Sequence, residues 1–316
     1  MVFPKRNWVL RGWLPALAAS ACLVSWAVAQ DYGVPAQGRR LGQPTQRPSP
    51  QAQSPYRVAQ KTVPGVNRPA GMESTTQPQE HPLMPAIRWA RDGRQSVRQI
   101  QDYSAVMVKR EQINGKVGDE QYMFLKVRHR PMSVYMYFLK PENLQGQEVM
   151  WIEGQNDGKM WAHGTGLKSV FGTVSLNPTS SLAMDGQRYP ITEIGLLNLV
   201  TRLLEIAEKD SQYGECEVKF IPGAKINDRT CTCIQVVHPV PRSNFLFHIA
   251  RIFVDDELNV PIRYGCYDWP SQPGESPMLI EQYTYLNLKL NNGFTDADFD
   301  LRNPQYRFKS SGGNGG

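Results

Sequence analysis

The spacing of hydrophobic residues changes character along this chain. Leu83, Met84, Ile87, Ala90, Val97 and Ile100 recur at helical intervals and predict a broken amphipathic helix. From Tyr103 the period becomes two, over residues 103–111, 120–128, 132–140, 147–153 and 159–163, each run bounded by turn residues. This is the pattern of an antiparallel meander. Asp157-Gly158 suits a two-residue hairpin loop, because both positions tolerate positive φ. Such a loop sets Ile152 opposite His163, with Met150 and Trp161 on the same face.

Several strands are apolar on both faces, notably 134–139, whereas a sheet with one wet face alternates cleanly. Something must cover the second face. The segment 191–209 predicts a helix whose Leu196, Leu197, Leu199, Val200, Leu203, Leu204, Ile206 and Ala207 sweep half the circumference, leaving Asn198, Thr201, Arg202, Glu205 and Glu208 for water. A face that broad fits a helix pressed into the concavity of a curved sheet. Strand patterns resume at 216–221, 230–238, 245–255, 261–269 and 279–290. The order of helix, strands, helix, strands predicts one α+β domain over 81–309, a curved antiparallel half-barrel with helices on its concave face.

The ends of the chain read differently. Lys5, Arg6 and Arg11 precede a charge-free apolar run from Trp13 to Trp26 and a small-x-small site at Ala27-Val28-Ala29, so 1–29 predicts a removed secretory signal and an exported protein of the periplasm or cell envelope. The apolar run is shorter than the roughly 20 residues a spanning helix needs, so no transmembrane segment is expected in the mature chain. Ala19-Ser20-Ala21-Cys22 resembles a lipobox but lacks the usual Leu three residues before the cysteine. Residues 30–80 are rich in Pro, Gln, Arg and Ser and predict a disordered spacer; the Gly- and Ser-rich 310–316 predicts a flexible tail.

Charge alters little once it is located. The net charge is +6 and the isoelectric point about 9.0. Removing the nine basic and three acidic residues of 1–80 from the totals of 35 and 29 leaves 26 of each, so the folded part is neutral and no nucleic-acid partner is expected.

Beyond Cys22 the chain carries Cys216, Cys231, Cys233 and Cys266, an even number for an oxidising compartment. Cys231 and Cys233 share one face of a strand and point in parallel, so Cys216 is expected to pair with one of them; Cys266 lies at least one strand further away. A zinc site instead would need thiolates kept reduced outside the cell, and no metal is expected. No catalytic residue stands out. The five histidines are isolated, and no metalloprotease, serine-hydrolase or phosphate-loop motif occurs. Glu153 with His163 is the best acid/base pair that can be assembled, and cross-strand polar pairs of this kind are usually ordinary surface contacts. Asp255-Asp256-Glu257 fits a chain bend better than a calcium site, and Asp296, Asp298 and Asp300 fit a solvated tail that Phe294 and Phe299 pin to the core. Neither an enzyme nor a cofactor is expected.

Chemical direction comes from the broad and flexible apolar groups Met123, Leu125, Val127, Met136, Phe138, Met150, Ile152 and Trp161, with Leu197, Val200 and Leu204 on the helix. These residues are the expected lining of a cavity that moulds itself to acyl chains. The alternative is that the helix fills the space and the protein is a structural or interaction module of the envelope.

The runs 147–158 and 184–195, together with 255–269 and its Pro261-Ile262-Arg263-Tyr264 and Tyr267-Asp268-Trp269, resemble the secreted bacterial family called domain of unknown function 1571. More distantly, the helix-then-meander order and Lys140-Pro141 after an aromatic strand are similar to LolA-type periplasmic lipoprotein carriers. That resemblance implies an antiparallel half-barrel with a helical lid, and a lipid or lipoprotein acyl chain as the ligand.

Overall fold

The computed structural model describes residues 80–308. The expected signal, the tail and the spacer up to residue 79 lie outside the described residues. The first half comprises helix α1 (Met84–Gln99) and strands β1 (Asp102–Ile113), β2 (Lys116–Val117), β3 (Gln121–His129), β4 (Met132–Lys140), β5 (Glu148–Ile152), β6 (Met160–His163) and β7 (Thr173–Leu176). The second comprises helix α2 (Leu196–Asp210) and strands β8 (Glu217–Ile226), β9 (Arg229–Val237), β10 (Ile249–Asp255), β11 (Pro261–Asp268) and β12 (Met278–Leu290). The ten expected strands and two helices are present and α1 is continuous through Gly93, but β2 and β7 were not expected and α2 begins at Leu196, after a short turn at Ile191–Glu193.

All pairings are antiparallel, in the order β7-β6-β5-β4-β3-β1-β12-β11-β10-β9-β8, with β2 attached to β1. The last strand returns to pair with the first, so β1 and β12 form the centre of an open, curved sheet. The strands that flank the long connection, β7 and β8, sit at opposite edges. Crossing between them spans roughly 48 Å at the usual strand spacing, and α2 accounts for about 22 Å of it. The connection must therefore cross the sheet, and the core that Leu196 and Val200 share with Tyr103, Met123 and Met136 sets α2 on the concave face.

Alternation sorts the side chains by face. Tyr103, Ala105 and Met107 of β1, Met123, Leu125 and Val127 of β3, and Val134, Met136 and Phe138 of β4 form the inner core with Leu196 and Val200 of α2. Leu204 joins a second inner cluster with Leu83, Ala86 and Ile87 of α1 and Ile234, Val236, Ala250 and Tyr264 of the sheet. Spaced four apart, Leu196, Val200 and Leu204 are the buried apolar stripe of α2, each contributing about 1.5–3 kcal/mol.

The outer face has its own cover. Tyr135, Met150 and Ile152 pack with Phe299 and Phe308 of the C-terminal segment, and Phe294 and Trp161 join them. Tyr306 stacks on Tyr135 with ring centroids 4.1 Å apart. Lys126 holds Asp298 at 3.0 Å and Arg128 holds Asp296 at 2.7 Å. Two-sided apolarity in β4 thus has two causes, the helices inside and residues 294–308 outside.

Two sequence expectations fail on register. The β5–β6 turn is longer than two residues: Asn156 and Asp157 both take φ of 52°, and Glu148, not Ile152, lies opposite His163. Glu153 accepts from the Met132 N–H instead, so the Glu153–His163 pair does not exist. All four described cysteines are free and buried. In the β8–β9 hairpin Ile221 faces Cys233 and Ala224 faces Cys231, while Cys216 precedes the Glu217–Val237 pair at the far end. Five residues of strand, about 17 Å, separate Cys216 from the position opposite Cys233. Cys266 lies across from Ala250 in β10, one strand beyond β9.

Candidate functional site

The central strands carry charge on the inner face. Lys109 and Glu111 continue the parity of Tyr103, Ala105 and Met107, so alternation drives them under α2, where they are 6% and 7% exposed. Glu281, opposite Glu111 on β12, is also buried. Bare charges there would cost several kcal/mol each, so partners must converge. The connection before α2 supplies them. Lys109 bonds Glu111 at 3.0 Å and donates to Gln187. Arg188 Nε donates to Glu281 at 2.9 Å, and its backbone N–H reaches Glu111 at 3.3 Å. The hydroxyls of Tyr283 and Tyr189 donate to Glu111 and Glu281 at 2.5 and 2.8 Å.

The electrostatic balance is even, with Lys109 and Arg188 against Glu111 and Glu281. Burial pulls the Lys109 ammonium below its usual range against the opposing pull of Glu111. Burial, with Glu281 and Glu111 alongside, pushes the Tyr283 hydroxyl far above its usual range, so it stays protonated and donates.

Beside this cluster, between α2 and the centre of the sheet, lies a cavity of about 290 Å³. Met107, Met123, Met136, Tyr285, Leu199 and Leu203 form its apolar wall. Lys109, Glu111, Tyr189, Glu281 and Tyr283 make its polar end, with Arg202 lying 4.6 Å over the Tyr189 ring. A second void of about 100 Å³, almost wholly apolar, lies between α1, α2 and strands β9 and β10, and Leu203 and Ile206 line both spaces.

Of the residues expected to line a cavity, Met123 and Met136 line the larger space and Val200 the smaller. Leu125, Val127, Phe138 and Leu197 belong to the inner core around them, and Leu204 to the second inner cluster. Met150, Ile152 and Trp161 pack on the outer face against the C-terminal segment. Met150 pairs with Tyr135, whereas its neighbour Val149 pairs with Met136, so the register of β4 with β5 turns Met150 away from the cavity. The polar residues of the site were missed because charged residues in a strand read as solvent-facing; their shared parity with Tyr103 and Met107 was the available signal.

The acidic segments serve structural ends. Buried Asp255 pairs with Arg229 at 2.7 Å and accepts from the backbone N–H groups of Glu257 and Leu258 at 3.0 and 2.9 Å, closing the turn before β11. Among the described residues, no three His, Cys, Asp or Glu side chains gather to hold a metal ion. No described helix is long and apolar enough to cross a membrane.

Comparison with known families matches residues 100–308 to the model described as "Protein of unknown function (DUF1571)". No curated protein matches the chain. Among solved structures, the Mycobacterium tuberculosis lipoprotein LppX is 13% identical with a TM-score of 0.39, covering 69% of this chain and 100% of its own. A putative outer membrane lipoprotein-sorting protein domain from Vibrio parahaemolyticus is 10% identical at a TM-score of 0.33, with coverage of 68% and 95%. The LolA superfamily protein NE2245 from Nitrosomonas europaea is 12% identical at 0.28, with coverage of 67% and 97%. These likenesses are remote.

Proposed function

We propose that this chain, which belongs to the DUF1571 family, is a non-enzymatic binding protein of the cell envelope that holds the apolar chain of a lipid or lipoprotein beneath α2. The observation that carries this reading is the cavity of about 290 Å³, walled by three methionines and closed at one end by a neutralised polar cluster. Its size lies at the lower bound of small-molecule sites. Methionine side chains adapt to an irregular aliphatic surface. The apolar part of an amphiphile lies against Met107, Met123 and Met136, while its polar part meets Lys109, Tyr189 and Arg202. Because Lys109 and Arg188 offset Glu111 and Glu281, and Arg202 pairs with Glu193 beside Glu205, the site favours a neutral or zwitterionic head over a bare anion. Leu203 and Ile206 separate the cavity from the second void, and a change in their rotamers would lengthen the channel along α2.

Native mass spectrometry of protein purified from the producing cells, followed by organic extraction, tests the proposal. The expected result is a co-purifying apolar mass, and after delipidation a fluorescent fatty-acid analogue that binds and is displaced. Protein that carries nothing and binds no fatty acid or lysolipid after delipidation would support a filled envelope module instead.

A further inference from the structure

Strand directions give the sheet two rims, and exposed apolar side chains gather on one. The connections 164–172, 211–216 and 238–248 and the start of β12 share a rim, since β6, β9 and β11 end there and β7, β8, β10 and β12 begin there. On it stand Val170 at 83% exposed, Phe171 at 75%, Leu246 at 57%, Val240, Tyr213 and Met278, six of the nine exposed large apolar residues among those described. On the opposite rim, connections 130–131, 153–159, 227–228 and 256–260 hold none of the nine, and Leu182 lies in the connection that leaves that rim after β7. Single exposed apolar residues are ordinary, but their segregation to loop tips from both halves of one sheet is not.

The polar end of the cavity lies toward this same rim. Glu111 lies near the end of β1 at Ile113, and Glu281 near the start of β12 at Met278. The chain also enters the fold here, because His81 Nε2 lies 2.7 Å from the Tyr213 carbonyl oxygen. His81, among the first described residues, therefore stands on the side that carries the apolar tips. We propose that this rim is a lipid-surface docking edge, with Val170 and Phe171 at its most exposed point, which brings the polar end of the cavity to a bilayer. This inference rests on the cavity reading for its purpose, but not for its observations.

Charge indicates the kind of surface. The rim segments 114–120, 141–147, 164–172, 211–216, 238–248 and 269–277 together carry three Lys or Arg and five Asp or Glu. An anionic membrane would gain nothing from such an edge, so apolar insertion into a zwitterionic surface is the fitting mode.

The test is sedimentation of the full chain with dioleoylphosphatidylcholine vesicles. A Val170→Ser/Phe171→Ser double variant is compared with a Phe220→Ser/Ile221→Ser control on the β8 edge, all verified folded by circular dichroism. Wild type is expected to bind, the rim variant to partition at least tenfold more weakly, and the control to stay within about twofold. Fatty-acid displacement in solution should be unchanged in the rim variant, and a cavity-filling Leu199→Trp variant should lose fatty acid while keeping the vesicles. Wild type that ignores phosphatidylcholine vesicles, binds only anionic ones, or binds equally well with the rim variant overturns the docking edge. Loss of fatty-acid binding alone bears on the cavity and not on the rim.

Discussion

The Tyr103 hydroxyl accepts a 2.9 Å hydrogen bond from the backbone N–H of Leu196, the first residue of α2. A fully buried side chain on the central strand thereby satisfies a donor that every helix N-terminus leaves open. Gly195, just before it, sits at φ +128°, and a Cβ there would stand 3.2 Å from the same hydroxyl. Helix, strand and turn are fixed together at this point.

Tyr103→Phe should therefore cost about 1–3 kcal/mol, the penalty of a buried N–H left unpaired, with no loss of apolar packing. Gly195→Ala should cost at least as much, from backbone strain and the close hydroxyl. Chemical denaturation measures both. A Tyr103→Phe variant as stable as wild type would show that the hydrogen bond does not anchor α2.

Filling the cavity should block the ligand without unfolding the protein. Leu199 is only partly buried and lines the cavity from α2, so Leu199→Trp adds bulk where there is room. Overpacking is expected to cost under about 2 kcal/mol, while the affinity for a fluorescent fatty acid should fall at least tenfold. Unchanged affinity in a folded variant would place the ligand elsewhere.

A buried proton should make stability depend on pH. His238 and Asp210 are both enclosed, with Nε2 and Oδ2 3.5 Å apart. His238 Nδ1 lies 3.1 Å from the Phe247 carbonyl oxygen and so carries the proton of the neutral ring. Its Nε2 lone pair thus faces a carboxylate oxygen, and the two acceptors are compatible only when one further proton lies between them. Burial pushes Asp210 up to about 6, with Lys209 opposing, and burial holds His238 below its usual range, assisted by His248 and His81. A carboxyl group whose folded pKa exceeds its unfolded value favours folding at low pH and loses that contribution as pH rises from about 4 through about 6. This group should lower the melting temperature by a few degrees between pH 5 and pH 8. Asp210→Asn, whose amide donates to Nε2 at any pH, should flatten that trend in a thermal scan. Identical pH profiles would refute the shared proton.

The described cysteines should stay reduced and unreactive in the folded protein. Burial pushes Cys216 and Cys266 up to about 12 and Cys231 up to about 11, and the hairpin register holds Cys216 far from Cys231 and Cys233. Alkylation should proceed only in denaturant, and non-reducing peptide mapping should recover all four as free thiols. A recovered bridge between Cys216 and Cys231 or Cys233 would require a different β8–β9 pairing.

Most helical and extended stretches, and the pairing of an antiparallel sheet with a half-apolar helix, were already legible in the chain. Those properties follow from periods of two and of about 3.6, which are local and survive in one dimension. The β4 run 132–140 and the apolar stripe of α2 were legible for that reason. Tertiary structure decided which face each row of side chains joins. Met136 and Met150 look alike in sequence, yet the pairing of Val149 with Met136 places one beneath α2 and the other beneath Phe299 and Phe308. Register depends on loop geometry, such as the paired positive φ angles at Asn156 and Asp157, and a composition pattern does not encode it. The buried cluster around Lys109 and Glu281 also emerged only in three dimensions. Its charges are tolerable inside because Gln187, Arg188 and Tyr189 return from a distant connection to neutralise and hydrogen-bond them.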